Sequence, residues 1–275
     1  MFSLFHRLFF AMLLLCLGCT DNGVCGAGDE KSFLMHTLKP SVFVDERVNG
    51  FDLDGMVGAA QDPTSCFRQD AIDHEGAEGI DNALSLLMQE LQGTEFEMLP
   101  QYILQTIQQG DFLLMIHVTG IDDLQFDSCV QVELVLVGGD VLVGADDLVL
   151  DGQTLYRQTS TQNISAKASI SEGILYAEGL SAQLLLDVDD FFLELPVRNV
   201  SLRGDMQGNG GFSGYMGGVT DVNELQVLTQ IGNGGYFQFL RDRINQHADM
   251  NPDSDGFCHG ISSSFDVEAV EAYLR

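Results

Sequence analysis

The middle of the chain alternates apolar and polar residues with a period of two, segment after segment, with no helical stretch between them. In Val130-Gln131-Val132-Glu133-Leu134-Val135-Leu136, the residues Val130, Val132, Leu134 and Leu136 share one side while Gln131 and Glu133 point to the other. That is the pattern of a half-buried strand. Phe112 to Val118, Val141 to Leu150, Gly173 to Leu180, Gln183 to Val188, Phe191 to Leu195 and Asn199 to Arg203 read in the same way, and Asp189-Asp190 marks a tight hairpin. A parallel sheet needs a crossover helix between strands, so this order argues against an α/β fold. It argues for an antiparallel sandwich or barrel. The expected fold is mainly β, an antiparallel β-sandwich of jelly-roll or lectin-like type with a few peripheral helices.

The helices are expected at the flanks. Asp81 to Gln92 places Leu84, Leu87 and Leu91 on one stripe before Gly93, with Asp81 as its N-cap, and a shorter helix starts at Pro100 and stops before Gly110. Asp221 and Glu224 open a third like a capping box, and a fourth runs from about Gly235 to His247 with Phe237, Leu240 and Ile244 aligned. Ile261 to Val267 alternates again and is expected to return to the sheet.

The first residues have the parts of a secretory signal: Arg7, an apolar run from Leu8 to Leu17, then Gly18 before Cys19. The run is too short for a spanning helix, which needs roughly 20 apolar residues. Cysteine after a small residue resembles a bacterial lipobox, although Cys16 and Leu17 stand where Leu and a small residue are usual. The expected organisation is therefore a signal peptide at 1–18, a lipidated Cys19 with a flexible tether over 19–40, and a single β-rich domain over 41–275. Thr20 rather than Asp after the lipidated cysteine favours the outer membrane. The implied partner is a membrane, reached through that lipid.

Twelve lysines and arginines stand against 41 aspartates and glutamates, a net charge of −29. Such a surface repels nucleic acid and attracts cations. With Cys16 leaving with the signal and Cys19 carrying lipid, four cysteines remain for an oxidising compartment: Cys25, Cys66, Cys129 and Cys258. Four allow three connectivities. Cys66 with Cys258 is favoured, since each lies in an acidic, Gly-containing loop near one end of the folded region.

The acids also cluster. In Asp249-Met250-Asn251-Pro252-Asp253-Ser254-Asp255-Gly256, oxygen-bearing side chains recur at every second residue and a glycine permits a turn. Calcium takes six to eight oxygens at about 2.4 Å, which alternate side chains of one loop can supply. The loop resembles an EF-hand-like or thrombospondin-type Asp loop, but Ser262 stands where an EF-hand has its bidentate Glu. A second cluster holds Asp52, Asp54, Asp62, Asp70, Asp73 and Asp81. The metal candidates are Asp249, Asn251, Asp253, Asp255, Asp52 and Asp54, with calcium as the ion. A Cys66–Cys258 bridge would make the two acidic loops neighbours and allow a shared site.

Catalytic signatures are thin. There is no phosphate-binding Gly-rich loop, no G-x-S-x-G elbow and no His-Glu-x-x-His. His74, His117, His247 and His259 form no familiar ligand spacing, and no catalytic residue is assigned.

The phrases Gly50-Phe51-Asp52-Leu53-Asp54-Gly55, Cys66 with Asp70, Gly79-Ile80-Asp81-Asn82 and Gly256-Phe257-Cys258-His259-Gly260-Ile261-Ser262 resemble uncharacterised bacterial cell-envelope lipoproteins, whose β-rich middle lies between two Asp/Cys segments. The resemblance implies location and architecture, not an activity. The function expected is a calcium-binding structural or recognition module of the cell envelope that meets a protein or glycan partner. The alternative is a carbohydrate-active hydrolase or glycan-binding module on a lectin-like sandwich, which exposed aromatics on one sheet face would favour; the absence of Trp weakens its sugar-stacking form, and Tyr176 and Tyr215 read equally as ordinary core or rim residues.

Overall fold

The computed structural model describes residues 25–145, 148–158, 165–188, 191–206, 210–226 and 237–275. The expected signal segment, Cys19 and the Asp189-Asp190 turn lie outside them. Strand accounts for 51% and helix for 18% of the described residues, so the fold is mainly β, but the sheet is not a sandwich. Eight strands close into an antiparallel barrel.

The strands of the ring are β1 (Asp29–Pro40), β4 (Leu114–Ile121), β5 (Phe126–Gly138), β7 (Ser165–Ser171), β8 (Ile174–Val188), β9 (Phe191–Met206), β10 (Gly211–Asp221) and β12 (Cys258–Leu274). Each pairs antiparallel with the next, and β12 returns to β1, with Ser32 opposite Ala272 and Pro40 opposite Phe265. Alternation reports one buried face per strand, and a sandwich and a barrel share that property. What separates them here is the pairing of the first strand with the last, which no local period encodes. Closure leaves none of the eight as a free edge.

β1 itself occupies residues expected to form a tether. Its inward face (Phe33, Met35, Leu38) enters the main core, and Leu34 on the other face is also fully buried. Burial on both faces removes the alternation that would have marked it as a strand. Conversely, Val141 to Leu150 makes only a Val143–Val149 bridge, and the segment continues into β6 (Gln153–Arg157). Together they cover Leu34, Met115, Val135, Val137 and Ala272 outside the barrel wall, with Val149 and Leu155 filling a small second core.

The strands expected at 173–180 and 183–188 are one strand, β8, kept continuous by irregular register at Ala177/Leu180 and Leu180/Ala182. The same holds for β9. Such irregularities bend a strand, which is how a long one follows a barrel wall.

The helices are α1 (Ala83–Glu90), α2 (Leu99–Gln109), α3 (Val222–Leu225) and α4 (Phe237–His247). They are not peripheral. Leu87 and Leu91, Ile103 and Ile107 of α2, and Leu240 and Ile244 of α4 share one cluster with inward-facing Val132, Leu184, Val197 and Phe265. The helices thus occupy the barrel mouth at which β1 ends and β12 begins. At the opposite end, where β5 begins, Cys25 is joined to Cys129. Inward strand positions are mostly apolar, whereas His117, Gln131 and Glu133 point outward, the reverse of a membrane-spanning barrel. No helix among the described residues is long and apolar enough to cross a membrane.

Candidate metal site

Residues 41–82 leave β1 and run along the outside of β12 and β10. Asp266 of β12 accepts hydrogen bonds from Ser41 Oγ and Asn49 Nδ2, both at 2.9 Å. Phe51 packs against Tyr215 with ring centroids 5.0 Å apart, over Gly217, where a Cβ would come within 2.8 Å of the Phe51 ring. Held there, Phe51 pairs with Asp81, which follows the short strand β3 (Glu78–Ile80), partner of β2 (Ala71–Ile72). This pairing lays the Asp52–Asp54 turn beside Asp81.

Carboxylate oxygens of Asp52, Asp54 and Asp81 lie within 4.8 Å of one another. Asp52 Oδ1 accepts from the Gly55 and Met56 amides at 2.7 and 3.0 Å, Asp54 Oδ1 from the Met56 amide at 2.9 Å, and Asp81 Oδ2 from the Leu53 amide at 2.7 Å. Gly79, at φ +84°, makes the approach possible: a Cβ there would sit 2.9 Å from the Met56 carbonyl oxygen and 3.5 Å from the Asp52 carboxyl. That carbonyl is a further oxygen in the same corner. At such separations each pair of ionised carboxylates repels by roughly 3 kcal/mol at an effective dielectric near 20. Three of them invite either protons or a cation.

Two more acids flank Asp81 around a cavity of about 330 Å³. The Asp70 carboxylate accepts from the Gly58 amide, in space that a Cβ on Gly58 would fill. Asp249 accepts from the Ser262 amide at 2.8 Å and from its hydroxyl, and Ser262 Oγ in turn accepts from the Ala83 amide at 2.8 Å, linking Asp249 to the first turn of α1. Removal from water pushes the Asp81 carboxyl up to about 8 and that of Asp249 up to about 7, with neighbouring carboxylates adding to both. Burial likewise raises Asp54 and Asp70.

The loops are stapled by the Cys66–Cys258 disulfide, which spans 192 residues. Of the metal candidates read from sequence, Asp52 and Asp54 come together with Asp81, and Asp249 lies on its other side. Asn251, Asp253 and Asp255 do not join them. They form an exposed hairpin between β11 (Met250–Pro252) and β12, in which Asp253 Oδ1 accepts from the Asp255 and Phe257 amides, both at 2.9 Å. Those bonds, first the one from Phe257, hold the Asp253 carboxyl below its ordinary value. The every-second-residue spacing there is a turn's internal bonding.

The sequence reading also assigned Asp81 to the helix cap. Asn82 takes that role, its side chain accepting from the Ser85 amide at 3.2 Å, and this frees the Asp81 carboxylate for the cluster. An acid immediately before another capping residue is the local sign that distinguishes the two.

Tyr176 and Tyr215 flank one arginine on the outer face of the sheet. Arg203 lies 5.5 Å from the Tyr176 ring centroid and 5.9 Å from that of Tyr215, donates to the Tyr215 hydroxyl at 3.0 Å, and pairs with Glu75 at 2.8 Å. No protein-family model, curated protein or solved structure was found to match the chain.

Proposed function

We propose that this chain is an exported, lipid-anchored β-barrel of the bacterial cell envelope that binds calcium between Asp52, Asp54 and Asp81, the ion serving to fix the loops at the helix-filled mouth. The observation that carries the reading is the convergence of three carboxylates from two chain segments within 4.8 Å. Aspartate oxygens, a nearby carbonyl and open solvent on the Asp52 side suit a hard cation that completes its shell with water. The two disulfides, Cys25–Cys129 and Cys66–Cys258, favour an oxidising compartment. That agrees with the secretory pattern of residues 1–18 and with lipid on Cys19, which would sit six residues before the pinned Cys25.

The role is structural or recognition rather than catalytic. The glycan alternative loses its premise, since the fold is not a lectin-like sandwich and Tyr176 and Tyr215 both contact Arg203. Calorimetric titration and thermal melts of the mature chain with calcium test the proposal. A rise in Tm with calcium, absent in Asp54→Asn, supports it; an unchanged Tm at millimolar calcium overturns it.

A further inference from the structure

The cavity beside the carboxylate site carries both signs of charge. Asp70, Asp81 and Asp249 line one part, Arg68 and His247 another, and Phe43, Ile80 and Leu86 supply apolar wall. Its volume of about 330 Å³ lies within the range of small-molecule sites, roughly 300–1,000 Å³.

Two of its donors lack acceptors. Among the described residues, three buried side-chain nitrogen or oxygen atoms make no hydrogen bond, and two of the three, Arg68 Nε and His247 Nε2, belong to residues lining this cavity. His247 Nε2 lies 3.2 Å from Glu90 Oε1 but without hydrogen-bond alignment. Arg157, Arg198, Arg203 and Arg243 all pair with glutamates. Arg68 forms no such pair among the described residues, in a chain with 41 acids. A buried donor left unpaired costs about 1–3 kcal/mol, which an arriving anion would recover.

We propose that this cavity binds an α-amino acid with an apolar side chain: its carboxylate at Arg68 and His247, its ammonium at Asp70 and Asp249, its side chain against Phe43, Ile80 and Leu86. Guanidinium suits a carboxylate through paired N–H donors. A lone anion would find no partner for Asp70 and Asp249, and a lone amine would leave Arg68 unsatisfied, so both charges belong on one ligand. Asp81 is common to this cavity and to the calcium site, but Arg68 touches only the cavity.

The test uses the mature chain saturated with calcium, titrated calorimetrically with L-leucine and L-phenylalanine. The comparison ligands are 3-methylbutylamine, which lacks the carboxylate, and 4-methylpentanoate, which lacks the ammonium. At least one amino acid is expected to bind, with each comparison ligand weaker by about tenfold or more, the loss of one charged hydrogen-bonded contact. Arg68→Gln is expected to weaken the amino acid similarly while keeping the calcium-induced rise in Tm. No binding of either amino acid, a comparison ligand equal to leucine, or a folded Arg68→Gln that binds unchanged each overturns the proposal. The ligand comparison needs no variant, so it decides even where Arg68→Gln does not fold, and a calcium response without amino-acid binding separates failure here from failure of the calcium reading.

Discussion

Asp81 accepts the Leu53 amide at 2.7 Å while its neighbour Asn82 caps the helix that follows, so one carboxylate is turned away from a helix end and toward Asp52 and Asp54. The residue is 4% exposed, and an ionised group there with no counter-ion destabilises the fold. Asp81→Asn should therefore have opposite effects in two buffers. In chelator at pH 8 the variant is expected to melt at or above the temperature of the parent, since a buried charge is removed; with calcium it should melt below it. Paired melts check this, and a variant that loses stability equally in both buffers would speak against the cation.

The metal-free protein should lose stability as pH rises. An unfolded Asp titrates near 3.9, whereas the folded carboxyls of Asp81 and Asp249 stand at about 8 and about 7. The folded state therefore holds more protons between about pH 4 and pH 8, the raised values impose no penalty below that window, and stability falls as pH climbs through it. Denaturant midpoints from pH 5 to pH 9 in chelator should show the fall, and saturating calcium should flatten it.

The two disulfides should separate by their readouts. Replacing Cys66 and Cys258 by Ser is expected to cost a few kcal/mol, as for a long closed loop, and to weaken calcium binding because the segment that carries Asp52, Asp54 and Asp81 loses its staple to β12. Replacing Cys25 and Cys129, at the other end of the barrel, should lower stability by a comparable amount and leave calcium affinity unchanged. Calorimetric titration of both variants tests this.

Inside the barrel, Gly204 and Phe212 are fitted to each other. A Cβ on Gly204 would stand 2.2 Å from Phe212 Cζ, and Phe212 lies 5.8 Å from the Phe33 ring across the core. Gly204→Ala is expected to cost about 1–3 kcal/mol through overpacking, and adding Phe212→Leu should recover part of that loss. Urea melts of the single and double variants measure the coupling.

How much of this was legible depends on whether a signal is local. β5 announced itself because Val130, Val132, Leu134 and Leu136 face the core while Gln131 and Glu133 do not. β1 stayed hidden because Leu34 and Phe33 are both buried, on opposite faces. β10 stayed hidden because Gly214, Gly217 and Gly218 stand where alternation would otherwise be read; Gly217 in particular makes room for Phe51. Asp52 and Asp54 were readable as a pair, being two residues apart. Their partnership with Asp81 was not, since it depends on the Phe51–Asp81 pairing across a loop. The Asp253 turn shows the converse: its spacing would suit an ion, but Asp253 Oδ1 already accepts from the Asp255 and Phe257 amides.

The hydrogen bonding of β1 to β12 has a consequence for timing. β12 is synthesised after the other described strands, and it completes β1, β10 and β11 at once. Until residues 258–274 emerge, the barrel has two open edges and an uncovered core, so no stable closed barrel is expected before then. A polypeptide that cannot close before β12 is made remains threadable until then, the condition that passage through a narrow channel requires.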